Sequence, residues 1–116
     1  TEIFEKVEDE QTLKDIAVNA IDKRYRKQAL EKIDDEEILA ELVFESKDKV
    51  IRKSAVLKDS FTNEDTLKKV AMTDSDIDVR IAAISKISDE DKLVDIAQEE
   101  ESAKVRNVLL KKFKKQ

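Results

Sequence analysis

Residues 74–87 read Asp-Ser-Asp-Ile-Asp-Val-Arg-Ile-Ala-Ala-Ile-Ser-Lys-Ile, and this stretch is the sharpest copy of a unit that recurs along the chain. One marker of the unit is an apolar residue followed by Arg. The marker occurs at nearly regular intervals, as Tyr25-Arg26, Ile51-Arg52, Val79-Arg80 and Val105-Arg106. Self-similarity at a fixed period is typical of repeat proteins, so the sequence predicts a repeat array.

Two further markers place the boundaries of the repeats. Apolar residues at i, i+3 and i+4 begin at Leu13, Leu39, Leu67 and Leu93, and an apolar residue closes each unit at Val7, Ile33, Phe61, Ile87 and Phe113. We therefore define repeats 1 to 4 as residues 8–33, 34–61, 62–87 and 88–113, within one domain over 1–116. The second repeat is the longest and places two extra residues between Ala55 and Phe61, which we interpret as a bulge or overrun at a helix end. Residues 1–7 align with the end of a unit, so we expect them to be the remnant of a preceding helix in a longer array.

Each repeat is predicted to hold two short helices, A and B. The apolar stripe marks helix A. Its start is indicated by a capping residue three positions before an acid, at Asp34, Thr62 and Ser88, or one residue later. In the first repeat the equivalent residue is Glu8, which is a weaker cap. Helix B is expected to start near Asp22, Asp48, Asp76 and Ser102. Its expected core positions include Tyr25 in repeat 1, Ala83 in repeat 3, and Leu110 and Phe113 in repeat 4. Helices this short are marginal alone in water, so stacking must bury a continuous apolar layer.

The composition of the chain narrows the classes of protein. There is no Gly, which disfavours barrels and sandwiches, and no Pro. The absence of Cys and His removes disulfides, thiolate chemistry, the usual general base and the commonest metal ligand. Acidic runs at 34–37 and 99–101 lack the spacing of a calcium loop. No apolar run has the length of a membrane span, so we expect a cytoplasmic protein that is not an enzyme and that holds no cofactor or metal.

The stretch 74–87 resembles a HEAT repeat, with acids in the turn (Asp74, Asp76), then Val79-Arg80, the small pair Ala82-Ala83 and a closing apolar Ile87. The resemblance implies an all-α fold, a right-handed α-α superhelix (solenoid) of about four two-helix repeats plus a leading partial repeat. The unit is shorter than a typical HEAT repeat and lacks the family's frequent Pro and Gly. The leucine-rich-repeat variant, another short helical solenoid, is similar as well. The family implies a scaffold or binding surface in most members, nucleic-acid binding in a minority and enzyme activity in a few.

The recurring arginines allow two interpretations. The set consists of Arg26, Arg52, Arg80 and Arg106. In the structural interpretation they form a ladder, in which each guanidinium hydrogen-bonds carboxylates and carbonyls in the turns of its own or a neighbouring repeat. In the functional interpretation they form a row that binds anions.

The solvent side of helix B is the candidate binding surface. Three apolar residues, Val50, Leu57 and Ile81, occur where a solvated helix is usually polar, and basic residues flank them. The predicted partner-binding set is Lys27, Val50, Lys53, Leu57, Ile81 and Lys111. Such a surface fits a protein or peptide with apolar anchors and acidic flanks. The alternative is that adjacent B helices bury the three apolar residues against one another.

The predicted function is therefore a scaffold or protein–protein interaction module, a monomer or part of a longer chain. The helix B segments carry net positive charge and the helix A segments net negative charge, so nucleic-acid binding along the B layer is the second hypothesis. Few aromatic residues are left outside the predicted core to stack on bases, which weighs against it. The basic stretch 111–115 is either a nucleic-acid or membrane-surface tail or a solvated helix end.

Overall fold

A computed structural model describes residues 9–114, and within that range the chain folds into eight α-helices with no strand. The helices are α1 (Glu10–Asn19), α2 (Lys23–Glu31), α3 (Glu36–Glu45), α4 (Lys49–Val56), α5 (Glu64–Thr73), α6 (Ile77–Ser85), α7 (Glu90–Glu99) and α8 (Ala103–Lys114). The odd-numbered helices are the predicted A helices and the even-numbered ones are the predicted B helices, so each repeat contributes one pair. The predicted remnant helix at 1–7 lies outside the described residues.

The chain divides into two compact units, Thr1–Phe61 and Thr62–Gln116. In the first unit α1 packs on α2 and α3, and α4 packs on α2 and α3. The second unit repeats this arrangement with α5, α6, α7 and α8. Each unit therefore contains two repeats, in which A packs on A, B packs on B, and A packs on B within a pair. That one domain spans 1–116 stays a prediction.

The A helices begin one residue later than our first prediction. The N-cap residues are Asp9, Asp35, Asn63 and Asp89. The side chain of Asp35 accepts hydrogen bonds from the N–H groups of Glu37 and Ile38, at 2.9 and 3.2 Å, and Asn63 caps its helix in the same way. Of the two positions that the sequence left open, the later one holds the cap, because Asp or Asn there reaches the free N–H groups of the first turn.

The B helices begin where the sequence predicted, and the turns before them need no glycine. Asp22, Asp48 and Asp76 are N-caps, and Ser102 precedes α8. Each A helix is followed by a C-cap residue with extended backbone, such as Ala20 after α1. The residue that precedes or caps the next B helix follows two positions later. No described residue has a positive φ angle. The chain therefore turns within conformations open to any residue.

The core consists largely of the stripes that the repeat markers predict. Leu39, Ala55, Leu67, Ala83 and their equivalents are buried. Tyr25 and Leu110 were also expected in the core, but both are exposed. Leu110 lies on a side of α8 that no described element covers.

The two extra residues of repeat 2 lie after a helix rather than within it. The helix α4 ends at Val56, and the Lys58 N–H still donates to the Ala55 carbonyl, as Lys86 does to Ala83 in repeat 3. The chain then makes an additional turn in which the Phe61 N–H donates to the Lys58 carbonyl, at 3.0 Å. The insertion is therefore residues 59–60.

Candidate functional site

The four recurring arginines make the same hydrogen bond in every repeat. Each donates to the carbonyl oxygen of the residue that ends helix A, six positions earlier. The donor–acceptor distances are 2.7 Å from Arg26 to Ala20, 3.2 Å from Arg52 to Ser46, 2.9 Å from Arg80 to Asp74 and 2.6 Å from Arg106 to Glu100. A carbonyl at a helix end has no partner within its own helix, so this bond satisfies an acceptor that the A–B turn leaves open.

Arg26 and Arg80 also pair with a carboxylate of the following repeat. Arg26 donates through Nε and Nη2 to Asp48, at 3.2 and 3.0 Å. Arg80 donates through the same atoms to the two oxygens of Glu100, at 3.1 and 3.3 Å, and the Glu100 side chain is 6% exposed. A guanidinium satisfies such a carboxylate with two parallel bonds. These contacts join α2 to the α3–α4 turn and α6 to the α7–α8 turn.

Lysines form a second joint between repeats, which the predictions from sequence missed. Lys58 Nζ donates to the carbonyls of Leu30, Glu31 and Ile33, at 3.1, 3.0 and 2.6 Å. Lys112 Nζ donates in the same way to the carbonyls of Ile84, Ser85 and Ile87, at 2.9, 3.1 and 2.5 Å. Lys58 follows the C-cap of α4 and Lys112 lies in α8. In both units the ammonium therefore caps the C-terminal end of the preceding B helix, where its positive charge is favourable.

The sequence did carry a signal for this lysine joint. Lysine recurs along the chain at nearly the period of the other markers, as Lys6, Lys32, Lys58, Lys86 and Lys112. Of these lysines, Lys58 and Lys112 make the contact described above.

Glutamates at the start of the A helices form a third joint. Glu10 Oε1 accepts from the N–H groups of Asp34 and Asp35, at 3.0 and 2.9 Å. Glu64 accepts from the N–H groups of Ser88 and Asp89, at 3.2 and 3.0 Å, and from the Ser88 hydroxyl, at 2.9 Å. The same position recurs in the sequence as Glu10, Glu36, Glu64 and Glu90. Each bond fastens the first turn of one A helix to the chain that enters the next.

The hydrogen bonds at these joints lower the pKa values of two carboxyl groups. The pKa of Glu64 lies below its usual 4.5, chiefly because the Asp89 N–H donates to it, with further bonds from Ser88. Burial alone raises the pKa of Asp48, but the bonds from Arg26, Val50 and Ile51 together bring it below 3.8. In both cases the joint stabilises the charged form.

We expect the joints to weaken in acid. Because the folded pKa values of Glu64 and Asp48 lie below their unfolded values of 4.5 and 3.8, their stabilisation is complete above those values and is lost as the pH falls through the folded ones. The urea concentration at the unfolding midpoint should therefore change little from about pH 7 to about pH 5. It should decrease at pH values lower than about 4.5.

A Glu64→Gln variant should show a shallower fall of the midpoint in acid. Glu90→Gln is the matched control, because Glu90 accepts no hydrogen bond from the residues 9–114 and its removal should leave the pH profile unchanged. Equal profiles for Glu64→Gln and the parent protein would contradict the glutamate joint.

In the first unit, the predicted binding residues lie together on the outer side of α2 and α4. Val50 is 63% exposed and Leu57 is 47% exposed. They are seven residues apart on α4 and its C-cap, and therefore on one face, with Lys53 exposed between them. Lys27 is exposed at the equivalent position on α2, which packs against α4. We call Lys27, Val50, Lys53 and Leu57 the α4 face.

In the second unit, the remaining predicted residues lie on α6 and α8. Ile81 is half-buried, unlike Val50 and Leu57, whereas Lys111 is exposed. On the same pair of helices, Lys104 Nζ lies 3.5 Å from an Asp78 carboxylate oxygen, and both side chains are exposed. An exposed pair of this kind contributes little to stability.

The described part of the chain contains no group of acidic residues placed to hold a metal ion. A cavity of about 250 Å³ in the second unit borders Arg80, Glu100 and neighbouring acidic residues. Arg80 donates to the Glu100 carboxylate and to the Asp74 carbonyl, and the Ser102 N–H donates to the same carboxylate, so these groups belong to the joint between repeats. None of the helices within 9–114 is long and apolar enough to cross a bilayer.

No protein-family model matches this chain, and neither the curated proteins nor the solved structures contain a match to it.

Proposed function

We propose that this protein is a non-enzymatic interaction module that binds a protein or peptide segment through the α4 face. The observation that carries the proposal is the exposure of Val50 and Leu57 on one side of one helix. Neither residue is needed by the joints, because the arginine, lysine and glutamate contacts use other faces of the helices. An apolar pair kept in solvent on an otherwise polar helix surface fits a site that a partner covers.

The chemistry of the α4 face supports a partner with apolar and acidic side chains. Lys53 lies between the two apolar residues and Lys27 lies on the adjacent helix, both exposed. A helical segment that carries two apolar side chains about seven residues (two helical turns) apart complements this arrangement, provided that Asp or Glu residues flank them. The apolar contacts supply most of the affinity, and the lysines supply orientation and the rate of encounter.

Nucleic-acid binding along the B layer is the second candidate, and the joints weaken it. Arg26, Arg80, Lys58 and Lys112 each donate to carboxylates or carbonyls within the protein. The positive charge of the helix B segments is therefore partly used inside the fold, where it is not presented to phosphates.

For the architecture, we propose a HEAT-like right-handed superhelix. The support is the resemblance of residues 74–87 to that family and the recurrence of the same three joints in both units. Helical repeats stacked in this way offer extended binding surfaces.

A displayed peptide library, selected against the whole protein, tests the proposed function. We expect enriched peptides to carry paired apolar residues with acidic flanks, and Val50→Asp combined with Leu57→Asp to weaken their Kd by at least about 100-fold, since two anchors are lost. Fluorescence anisotropy measures the Kd, and circular dichroism checks that helicity and Tm stay unchanged.

Ile21→Asp is the matched control. Ile21 is a fully exposed apolar residue of the first unit that lies in the α1–α2 turn and is not part of the α4 face, so its variant should bind as the parent protein does. An unaffected Kd for the double variant would overturn the proposal, as would a selection that enriches no sequence.

A further inference from the structure

The side of α7 and α8 that faces away from α5 and α6 is unusually exposed for its place in the repeat. Leu110 is 55% exposed, whereas its equivalents Leu30, Val56 and Ile84 are 2%, 0% and 0% exposed. Phe113 is half-buried, whereas Ile33, Phe61 and Ile87 are fully buried, and Ala97 is likewise more exposed than its equivalents. We call Glu90, Ala97, Arg106, Leu110 and Phe113 the C-terminal face.

The two polar residues of the C-terminal face are a hydrogen-bond donor, Arg106, and an acceptor, Glu90, at positions that form joints in other repeats. Arg106 bonds the Glu100 carbonyl but pairs with no carboxylate among residues 9–114, whereas Arg26 and Arg80 each hold one from the next repeat. Glu90 accepts no hydrogen bond in the same range, whereas Glu10 and Glu64 each accept from two consecutive N–H groups.

The two units show what covers the equivalent positions elsewhere. In the first unit, α3 and α4 lie against α1 and α2 and supply the paired N–H groups, the Asp48 carboxylate and the Lys58 ammonium. In the second unit, α7 and α8 supply the same three groups to α5 and α6. The three groups always come from one helical pair.

We propose that the C-terminal face is a docking site for one further two-helix repeat of this chain's own type. Such a repeat places two N–H groups at Glu90, a turn carboxylate at Arg106 and a lysine ammonium at the carbonyls that end α8. Its apolar residues fill the groove of about 240 Å³ lined by Ala97, Arg106, Leu109, Leu110 and Phe113. A single peptide helix supplies at most one of the three polar groups, so it fits the face less well than a pair of helices does.

The proposal is tested by supplying a repeat of known sequence. Residues 1–113 are continued by a second copy of residues 88–116, which preserves the interval between successive repeats. The added repeat presents the same surface that α7 and α8 already pack against α5 and α6. We expect this extended protein to unfold in urea in one transition, with a larger m value and a higher midpoint than the parent. Hydrogen exchange should show the amide groups of α8 more strongly protected.

Leu110→Asp and Arg106→Ala provide the matched comparison. In the parent protein both side chains are exposed, so each change should shift the midpoint little. In the extended protein each change should lower the midpoint clearly, because it now breaks a covered contact. Equal shifts in the two proteins, or an added segment that gains no helicity, would overturn the proposal.

A second copy of the protein is the competing occupant, and sedimentation velocity on the parent distinguishes it. We expect a monomer over the micromolar range. A dimer or longer chain that Leu110→Asp abolishes would assign the face to self-association and reject the proposed occupant. Because Val50 and Leu57 lie outside this face, their Asp variants should leave both experiments unchanged.

Discussion

Replacing Arg80 by alanine should lower the free energy of unfolding by about 3 kcal/mol, because it leaves a buried carboxylate without its countercharge. The Glu100 side chain is 6% exposed, and both of its oxygens accept from Arg80. The change also removes the bond to the Asp74 carbonyl. Urea unfolding followed by circular dichroism at pH 7 measures the effect, which should appear as a lower midpoint at unchanged m value.

Arg106→Ala is the matched control for this prediction. Arg106 occupies the equivalent position in the next repeat and makes the same carbonyl bond, but it is exposed and has no carboxylate partner within 9–114. Its loss should cost less than about 1 kcal/mol. Similar losses for the two variants would contradict the arginine joint.

Replacing Lys112 by methionine should lower the free energy of unfolding by about 2 kcal/mol, because buried or half-buried carbonyls that lose their donor are destabilising. Methionine keeps the length of the apolar stem but removes the ammonium that three carbonyls at the end of α6 share. The loss should be visible in the same urea experiment and as a lower Tm.

Lys111→Met provides the control for the lysine joint. Lys111 is the exposed neighbour of Lys112 on α8, so its replacement should change stability by no more than about 0.5 kcal/mol. Lys58→Met should behave as Lys112→Met does, because Lys58 makes the same three bonds in the first unit. If Lys58→Met and Lys112→Met were as stable as Lys111→Met, the joint would be ruled out.

Most of the secondary structure could be predicted because it depends on local patterns. The spacing of apolar residues indicated the A and B helices, and Asp22, Asp48 and Asp76 marked the starts of three B helices. The A helix caps could be placed only to within one residue, because two adjacent residues in each turn can both cap. The choice between the two residues depends on the geometry of the hydrogen bonds, which cannot be read from the residue types alone.

The joints were harder to predict because their partners lie in different repeats. The bond from Lys58 to the Ile33 carbonyl links two repeats. Every residue has a backbone carbonyl, so the sequence does not show which carbonyl accepts the bond. The period of the lysines was visible, but its meaning needed the position of the next helix. The exposure of Leu110 was missed for the same reason, since burial of a repeated position depends on what lies against it.

The candidate surface was only partly predictable. The exposure of Val50 and Leu57 follows from their places opposite the core stripe of α4, and the structure shows both in solvent. Ile81 has the same helical position as Lys53 but is half-buried. Isoleucine has no charged group that must stay hydrated, whereas a lysine keeps its ammonium in water.

The central claim is that the recurring charged residues hold neighbouring repeats together, which leaves the α4 face for a partner. A double-mutant cycle with Arg80→Ala and Glu100→Ala tests it most directly, because single losses mix the interaction with the cost of an unpaired buried charge. We predict a favourable coupling of about 1.5–3 kcal/mol between the two side chains. Losses that add within about 0.4 kcal/mol would show that the pair does not join the repeats and would contradict the claim.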